Sequence, residues 1–248
     1  MSGPLVLAVE SSGTRSAVAL LAGERRLAEE EFVRGSGGRG SGSPAAAADR
    51  ALASSGKGPG DVELVAASIG PGSYTGLRVG VSFAKCFSWA LGAPVAAVPS
   101  LLALAEEVEG ESGVLVPTAN AFRGQVFARA FRCGSDGPPV ELTPDLVLCP
   151  EELGPALAGV CGPEEKVLIL GSGAARWEEQ LRAGLTALPG ADIRGQPDCP
   201  RALTVGRIGL RMAAAGKTVT AHDLVPVYLR KTEAEERLEQ PESGGPTG

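Results

Sequence analysis

The sequence predicts an α/β fold built from two related lobes, and three observations support this prediction. Short apolar runs rich in branched residues, typical of buried strands, recur along the 248 residues. Segments with helical capping signals alternate with the later strands of each half. The same order of elements begins again after about residue 109, which indicates a duplicated unit.

The first half opens with three strands that turn residues separate. They are predicted at Leu5–Val9, Ser16–Leu21 and Arg25–Phe32, with turns at Gly13 and Gly23. The Gly/Ser-rich segment Gly35–Ser43 is typical of a mobile loop.

Helices and strands then alternate. Ser43-Pro44 supplies an N-cap and a first-turn proline for a helix. The predicted elements of this part are the helix Ala45–Ser54, the strand Glu63–Ile69, the helix Thr75–Leu91, the strand Pro94–Val98 and the helix Ser100–Val108.

The second half repeats this order in a weaker form. Its predicted elements are strands at Val114–Thr118, Gln125–Arg132 and Val140–Leu148, a helix at Glu151–Ala158, a strand at Lys166–Leu170 and a helix at Ala174–Leu188. Three strands followed by alternating helices and strands, twice over, predict a duplicated ribonuclease-H-like fold.

The lobe boundaries follow from this order. We expect a first lobe at 1–108 and a smaller second lobe at 109–202. The C-terminal segment 203–231, which contains a helix at Thr204–Ala215, is expected to join the first lobe. Residues 232–248 are expected to form a disordered tail.

Composition limits the function. A net charge of −6 argues against a protein that holds nucleic acid unaided, because phosphate contacts need a basic face. The five cysteines form no CxxC pair, which favours a reducing compartment. We see no signal peptide and no apolar run of membrane-spanning length, so a cytoplasmic protein without a membrane contact is expected.

A glycine-rich segment, Ile69–Arg78, joins a predicted strand to a predicted helix. Amides at such a helix start bind anions, and Gly72, Ser73 and Thr75 are the candidates for a phosphate site. The spacing matches neither a Walker loop nor a dinucleotide fingerprint. Spacing alone therefore favours a tight turn capped by Ser73 or Thr75 over phosphate binding.

Other candidate residues carry weaker signals. Glu10 ends the first strand, where actin-like ATPases and sugar kinases use an aspartate for metal and phosphate; it is either a relic of such a site or a solvated acid. The small-residue turn Gly171–Ala174 follows a strand, as adenosine-binding turns do. His222 is the only histidine, which argues against a Ser-His-Asp centre and a histidine metal site.

Four segments resemble one family. Gly70–Lys85, GPGSYTGLRVGVSFAK, resembles the glycine-rich loop and following helix of the TsaB family, called YeaZ in older usage. Leu7–Leu20, Pro117–Phe131 and Pro226–Arg230 are similar to further segments of that family. Glu10 and Asn120 stand where aspartates are usual, and residues 142–200 carry no resemblance.

The resemblance implies an actin-like two-lobe fold and a non-catalytic subunit. Such a subunit pairs with the catalytic paralogue TsaD in the bacterial complex, joined by the ATPase TsaE, that forms N6-threonylcarbamoyladenosine at position 37 of tRNA. It implies contact with tRNA only through the complex, a possible homodimer, and no cofactor of its own, with ATP and metal on the partner. The metal-binding histidines of the paralogue align with Ser100 and Leu104.

Two other functions stay open. An actin-like-fold ATPase or small-molecule kinase needs an intact acid and glycine phosphate site, for which Glu10 and Asn120 are poor substitutes. A peptidase, a label once attached to this superfamily, is disfavoured by the single histidine.

The helix Thr75–Leu91 is predicted to carry the partner surface. At about 100° per residue it has two apolar strips, and a lone surface helix needs only one. The strip expected to pack on the protein's own sheet is Val79, Phe83, Cys86, Phe87 and Ala90. The strip expected to face the partner is Leu77, Val81, Ala84 and Ser88, with Gly80 beside it. The alternative is that Ala45–Ala53 of the same chain covers this second strip.

Overall fold

A computed structural model describes residues 3–32, 42–108, 110–134, 137–162, 165–188 and 190–230. Most of the loop predicted at Gly35–Ser43 and the tail predicted at 232–248 lie outside these described residues. Among the helices described, none has the length and apolar character needed to cross a bilayer.

The first sheet has five strands. They are β1 (Leu5–Glu10), β2 (Ala17–Ala22), β3 (Arg25–Glu31), β4 (Leu64–Gly70) and β5 (Val95–Pro99). Their order is β3-β2-β1-β4-β5, with β1 antiparallel to β2 and parallel to β4. β1 is buried along its whole length, because helices cover both faces of the sheet.

The second sheet repeats this order. Its strands are β6 (Gly113–Phe122), β7 (Gln125–Ala128), β8 (Phe131–Cys133), β9 (Val140–Glu141), β10 (Leu146–Leu148), β11 (Val167–Leu170) and β12 (Asp192–Arg194). The main path is β10-β7-β6-β11-β12, and β8 pairs with both β6 and β9. The predicted duplicated ribonuclease-H-like topology is confirmed.

The helices occupy the predicted parts of the chain. Their bounds are α1 (Pro44–Ser54), α2 (Tyr74–Leu91), α3 (Ser100–Ala105), α4 (Leu153–Leu157), α5 (Ser172–Arg176), α6 (Glu178–Gly184) and α7 (Ala202–Ala214). Ser43 caps α1 by accepting a hydrogen bond from the Ala46 amide at 3.2 Å, as Ser43-Pro44 predicts.

The second half differs from the prediction in four places. The strand predicted at Gln125–Arg132 is two strands, because β7 and β8 pair with different parts of β6. The strand predicted at Val140–Leu148 likewise divides into β9 and β10, and the helix predicted at Ala174–Leu188 divides at Trp177 into α5 and α6. β12 was not predicted, since only Ile193 of its three residues is buried.

Helix α2 buries the face that the sequence assigned to a partner. Leu77, Val81, Ala84, Ser88 and Gly80 are all buried within this chain. The prediction that these residues face a partner is therefore wrong. Val81 and Ala84 share a core cluster with the sheet and with Ala47, Ala48 and Ala51 of α1, so the alternative cover by α1 contributes.

The close approach of α2 to the first sheet explains why its strip of small residues is buried. A β-carbon at Gly80 would lie 2.0 Å from the Ser11 hydroxyl oxygen, so only a small strip reaches this surface. The larger Val79, Phe83 and Phe87 are half-buried and pack against the same core cluster, so the prediction that their strip packs on this protein is confirmed for these three residues. Cys86 and Ala90 of that strip are exposed.

The C-terminal segment returns to the first lobe. Helix α7 packs on the face of the first sheet opposite α1 and α2, and a β-carbon at Gly209 would lie 2.6 Å from Ala66 Cβ. Further on, the Val227 amide donates to the Ile69 carbonyl at 2.7 Å. Residues 227–230 are thereby held beside the glycine-rich loop, at the boundary between the lobes.

Candidate functional site

A cleft of about 530 Å³ lies between the two lobes, beyond the carboxyl ends of the central strands. Ligands bind at this edge in open α/β sheets. The first lobe supplies the β1–β2 turn and the glycine-rich loop, and the second lobe supplies β6 and the start of α5. The polar lining residues include Ser12, Thr14, Ser73, Asn120, Ser172, Arg176 and Asp198.

The glycine-rich loop is held against the β1–β2 turn. The Ser73 amide donates to the Ser12 carbonyl at 2.7 Å, and a β-carbon at Gly72 would lie 2.4 Å from the same oxygen. The Ser73 hydroxyl accepts from the Gly76 amide at 3.3 Å and so caps α2. The predicted turn capped by Ser73 is confirmed, and two amides of this helix start are already paired inside the protein.

The four residues of the predicted relic phosphate site do not converge. Gly72 and Ser73 line the inter-lobe cleft. Thr75 is exposed on the first turn of α2, and Glu10 instead borders a separate cleft of about 280 Å³ with Arg15 and Arg26. The binding of phosphate at this loop stays a prediction.

Glu10 is a buried carboxyl group, not a solvated one. It is 1% exposed, and its Oε1 accepts hydrogen bonds from the Ser12 amide at 2.5 Å and the Ser12 hydroxyl at 2.6 Å. Its Oε2 is buried without a hydrogen-bond partner. Burial raises the pKa of Glu10 to about 7, and the hydrogen bonds from Ser12 offset part of this effect.

The second lobe repeats the geometry of the first at its own strand end. Gly171, after β11, has the same φ of 107° as Gly70 at the end of β4. Thr118 Oγ1 accepts from the Ala174 amide and donates to the Leu170 carbonyl, both at 2.8 Å, which fixes the turn into α5. A β-carbon at Gly171 would lie 2.1 Å from the Thr118 carbonyl oxygen, so the predicted small-residue turn is required by packing.

Several polar side chains of the cleft are engaged in hydrogen bonds within the protein. Asn120 Oδ1 accepts from the Phe122 amide at 3.2 Å and from Trp177 Nε1 at 3.3 Å. Asp198 Oδ2 accepts from the Thr14 hydroxyl at 2.8 Å, which ties the loop before α7 to the β1–β2 turn. These bonds organise the cleft walls. The part played by Asp198 carried no sequence signal, because it lies in the 142–200 region.

Metal-binding geometry is not found in the part of the chain that the structure describes. Within those residues, no three His, Cys, Asp or Glu side chains are grouped so that they could hold an ion. The aligned positions Ser100 and Leu104 lie on α3, where the Ser100 hydroxyl accepts from the Gly70 amide at 3.0 Å and Leu104 is 2% exposed.

A second candidate surface is the outer side of α1 and α2. We call the residues Val79, Phe83, Cys86, Phe87 and Ala90 the outer α2 strip. The rings of Phe83 and Phe87 lie 5.5 Å apart, and the neighbouring Trp89 is 80% exposed. Three of its residues, Val79, Phe83 and Phe87, pack against the core of the first lobe with one side and leave the other accessible.

Comparison with known proteins identifies the family. A model of the TsaD family, tRNA N6-adenosine threonylcarbamoyltransferase, matches residues 44–135. The tRNA threonylcarbamoyladenosine biosynthesis protein TsaB of Bacillus subtilis (strain 168) is 32% identical over 177 residues, which cover 71% of this chain and 73% of the relative. The Escherichia coli (strain K12) protein of the same name is 27% identical over 189 residues, 75% of this chain and 79% of the relative.

A solved structure supports the same assignment at the level of the fold. YeaZ from Pseudomonas aeruginosa superposes with a TM-score of 0.74 at 23% identity, covering 91% of this chain and 100% of that one. The predicted actin-like two-lobe fold is confirmed, as is the resemblance seen in the sequence. The chain belongs to the TsaB family, called YeaZ in older usage.

Proposed function

We propose that this chain is a non-catalytic subunit of the machinery that forms N6-threonylcarbamoyladenosine at position 37 of tRNA. In this proposal it pairs with a TsaD-type catalytic subunit, a TsaE-type ATPase joins them, and ATP and metal bind to the partner. Family membership supports the pathway, because the relatives from Bacillus subtilis and Escherichia coli are named for it.

The roles of individual residues support the non-catalytic part of the proposal. Ser100 and Leu104, which align with the metal-binding histidines of the paralogue, are engaged in a structural hydrogen bond and in core packing. Glu10 is turned into the interior and bound to Ser12 instead of lining the inter-lobe cleft. An acid in that place does not contact a nucleotide bound between the lobes.

The outer α2 strip is the observation that carries the partner assignment. Phe83 and Phe87 are half-buried on the side of α2, and Cys86 and Ala90 beside them are exposed. The adjacent helix α1 exposes Ala45 and Ala53, whose small side chains allow another helix to approach closely. An apolar, aromatic surface with an exposed Trp89 is typical of a protein–protein contact.

Binding to the paralogue tests the proposal. Cys86→Arg places a charge at an exposed position of the outer α2 strip, so we expect an unchanged circular dichroism spectrum and at least about tenfold weaker binding to the TsaD-type subunit. The matched control is Val140→Arg, at a site on the second lobe that is 63% exposed. A Cys86→Arg variant that binds normally would place the partner elsewhere, and a wild-type chain that never binds would refute the pairing.

ATP turnover separates this function from the ATPase or kinase alternative. We expect the isolated chain to release no phosphate from ATP at steady state, because Glu10 is buried away from the cleft. Steady turnover that Glu10→Ala abolishes would instead establish an active nucleotide site in this chain.

A further inference from the structure

A second groove adjoins the inter-lobe cleft and shares Gly72 and Phe122 with it. It has a volume of about 330 Å³ and lies between the start of α2, the β6–β7 turn and residues 227–230. We call it the aromatic groove. Its side chains include Tyr74, Phe122, Phe127, Tyr228, Arg123 and Arg230. The described residues that line it include neither Asp nor Glu, although the chain carries a net charge of −6.

Three aromatic side chains of the groove are exposed. Phe122 is 65% exposed, Tyr228 43% and Tyr74 39%. These residues come from three distant parts of the chain, so their meeting is a product of the fold. A large aromatic ring that is exposed to water gains no free energy from burial. A cluster of such rings beside a groove therefore indicates a binding surface.

The β6–β7 turn holds its side chains at the groove in an unfavourable backbone conformation. Phe122 has a φ of 60°, in the left-handed region that bulky L-residues rarely adopt. The positive φ values of Arg123 and Gly124 are those of a two-residue hairpin turn, because Phe122 pairs with Gln125. The ring of Phe122 gains little burial in return. Strain of this kind clusters at ligand-binding sites, where the chain must present a particular side chain.

Contacts made by Arg78 and Arg230 hold the part of the groove formed by the start of α2 and residues 227–230. The Arg78 guanidinium lies 4.3 Å from the centre of the Tyr74 ring, and the rings of Tyr74 and Tyr228 are 5.0 Å apart. Arg230 Nη1 donates to the Ala121 carbonyl at 3.0 Å, which links residues 227–230 to β6. The rings of Tyr74 and Tyr228 are thus held by contacts within the chain and accompanied by positive charge.

We infer that the aromatic groove binds an unpaired base of an RNA strand, with the flanking phosphates beside Arg123 and Arg230. The inference rests on the proposed function, since it assumes an RNA substrate. Exposed rings stack on the faces of any base, and neighbouring guanidinium groups attract the backbone. None of the described lining residues is acidic, and this composition suits a polyanion. A volume of about 330 Å³ is small for a folded protein segment but accommodates one or two stacked bases.

The test is a fluorescence anisotropy titration of the full chain. The probes are a fluorescein-labelled RNA hairpin carrying a tRNA anticodon loop and a fully paired duplex of the same stem. We expect the hairpin to bind more tightly than the duplex, with an affinity that falls as salt rises. Phe122→Ala should raise the hairpin Kd about tenfold, and Phe122→Trp should retain binding because it keeps an aromatic face.

Three further variants distinguish base stacking and charge from general effects of substitution. Phe122→Leu keeps an apolar side chain without an aromatic face, so it should bind as poorly as Phe122→Ala. Arg123→Ala should weaken binding, whereas Arg182→Ala removes one charge from the exposed surface of α6 and should not. Equal affinity for hairpin and duplex, or full binding by Phe122→Leu, would overturn the inference.

The same variants separate this inference from the proposed function. Binding of Phe122→Ala to the TsaD-type subunit should be unchanged, because the outer α2 strip lies on another part of the chain. If Phe122→Ala weakens subunit binding and leaves RNA binding intact, the aromatic groove is a protein contact and the inference is wrong. If the wild-type chain binds the subunit but no hairpin, the inference fails while the proposed function stands.

Discussion

At the end of β1, Ser12 donates two hydrogen bonds to the carboxyl group of Glu10. One carboxylate oxygen of Glu10 accepts from both the amide and the hydroxyl of Ser12, while the other is buried without a partner. Such a carboxyl group is easier to bury as the neutral acid than as the anion. The pair therefore links the stability of the first lobe to pH.

The first prediction concerns this linkage. The pKa of Glu10 is about 7 in the folded chain against 4.5 for the free group, so the folded state binds its proton more tightly. The resulting stability is complete below about pH 4.5 and is lost as the pH rises through 7, by about 3 kcal/mol in all. Glu10→Gln, which stays neutral, should be more stable than the wild type at pH 8.5 and similar to it at pH 5.

Urea unfolding at the two pH values measures this difference. Glu24→Gln, on the exposed β2–β3 turn, is the control, and its stability should follow that of the wild type. If the free energies of unfolding of wild type and Glu10→Gln differ by the same amount at both pH values, Glu10 is ionised in the folded chain at both.

The second prediction tests the close contact of α2 with β1. Gly80→Ala in an ordinary helix interior stabilises by about 1 kcal/mol. Here the new β-carbon would meet the Ser11 hydroxyl oxygen at 2.0 Å, so we expect destabilisation by about 1–3 kcal/mol instead.

A double-mutant cycle identifies the cause. Ser11→Ala removes the buried hydroxyl oxygen, which has no hydrogen-bond partner, and should recover part of the loss in the double variant. Strictly additive free energies of unfolding would show that Ser11 is not what Gly80→Ala strains.

The third prediction follows from the corrected orientation of α2. Ala84 is 0% exposed, so Ala84→Arg must bury an unpaired charge and should lower the free energy of unfolding by more than about 3 kcal/mol. Ser82→Arg, at an exposed position on the same helix, should change it by less than about 0.5 kcal/mol. Thermal unfolding followed by circular dichroism compares the two, and a stable Ala84→Arg would mean that this strip is accessible.

The sequence alone determined the order of the strands and helices and the family. Alternating apolar runs, the Ser43-Pro44 cap and the Gly70–Lys85 segment are local signals, and each is confirmed by the structure or the comparisons. Local signals suffice here because the spacing of apolar residues along a segment reflects the period of the element that buries them. Short elements such as β12, with one buried residue of three, carry too little pattern to be predicted.

Which side of α2 is fully buried depends on tertiary packing. The helix has two apolar strips, and periodicity cannot rank them, because both repeat with the helical turn. The distance between helix and sheet ranks them. Gly80 lies so close to Ser11 that small residues are fully buried there, and the larger Phe83 and Phe87 are half-buried at the edge of the same core. The aromatic groove has the same origin, since Tyr74, Phe122 and Tyr228 are brought together by packing between segments that are far apart in the sequence.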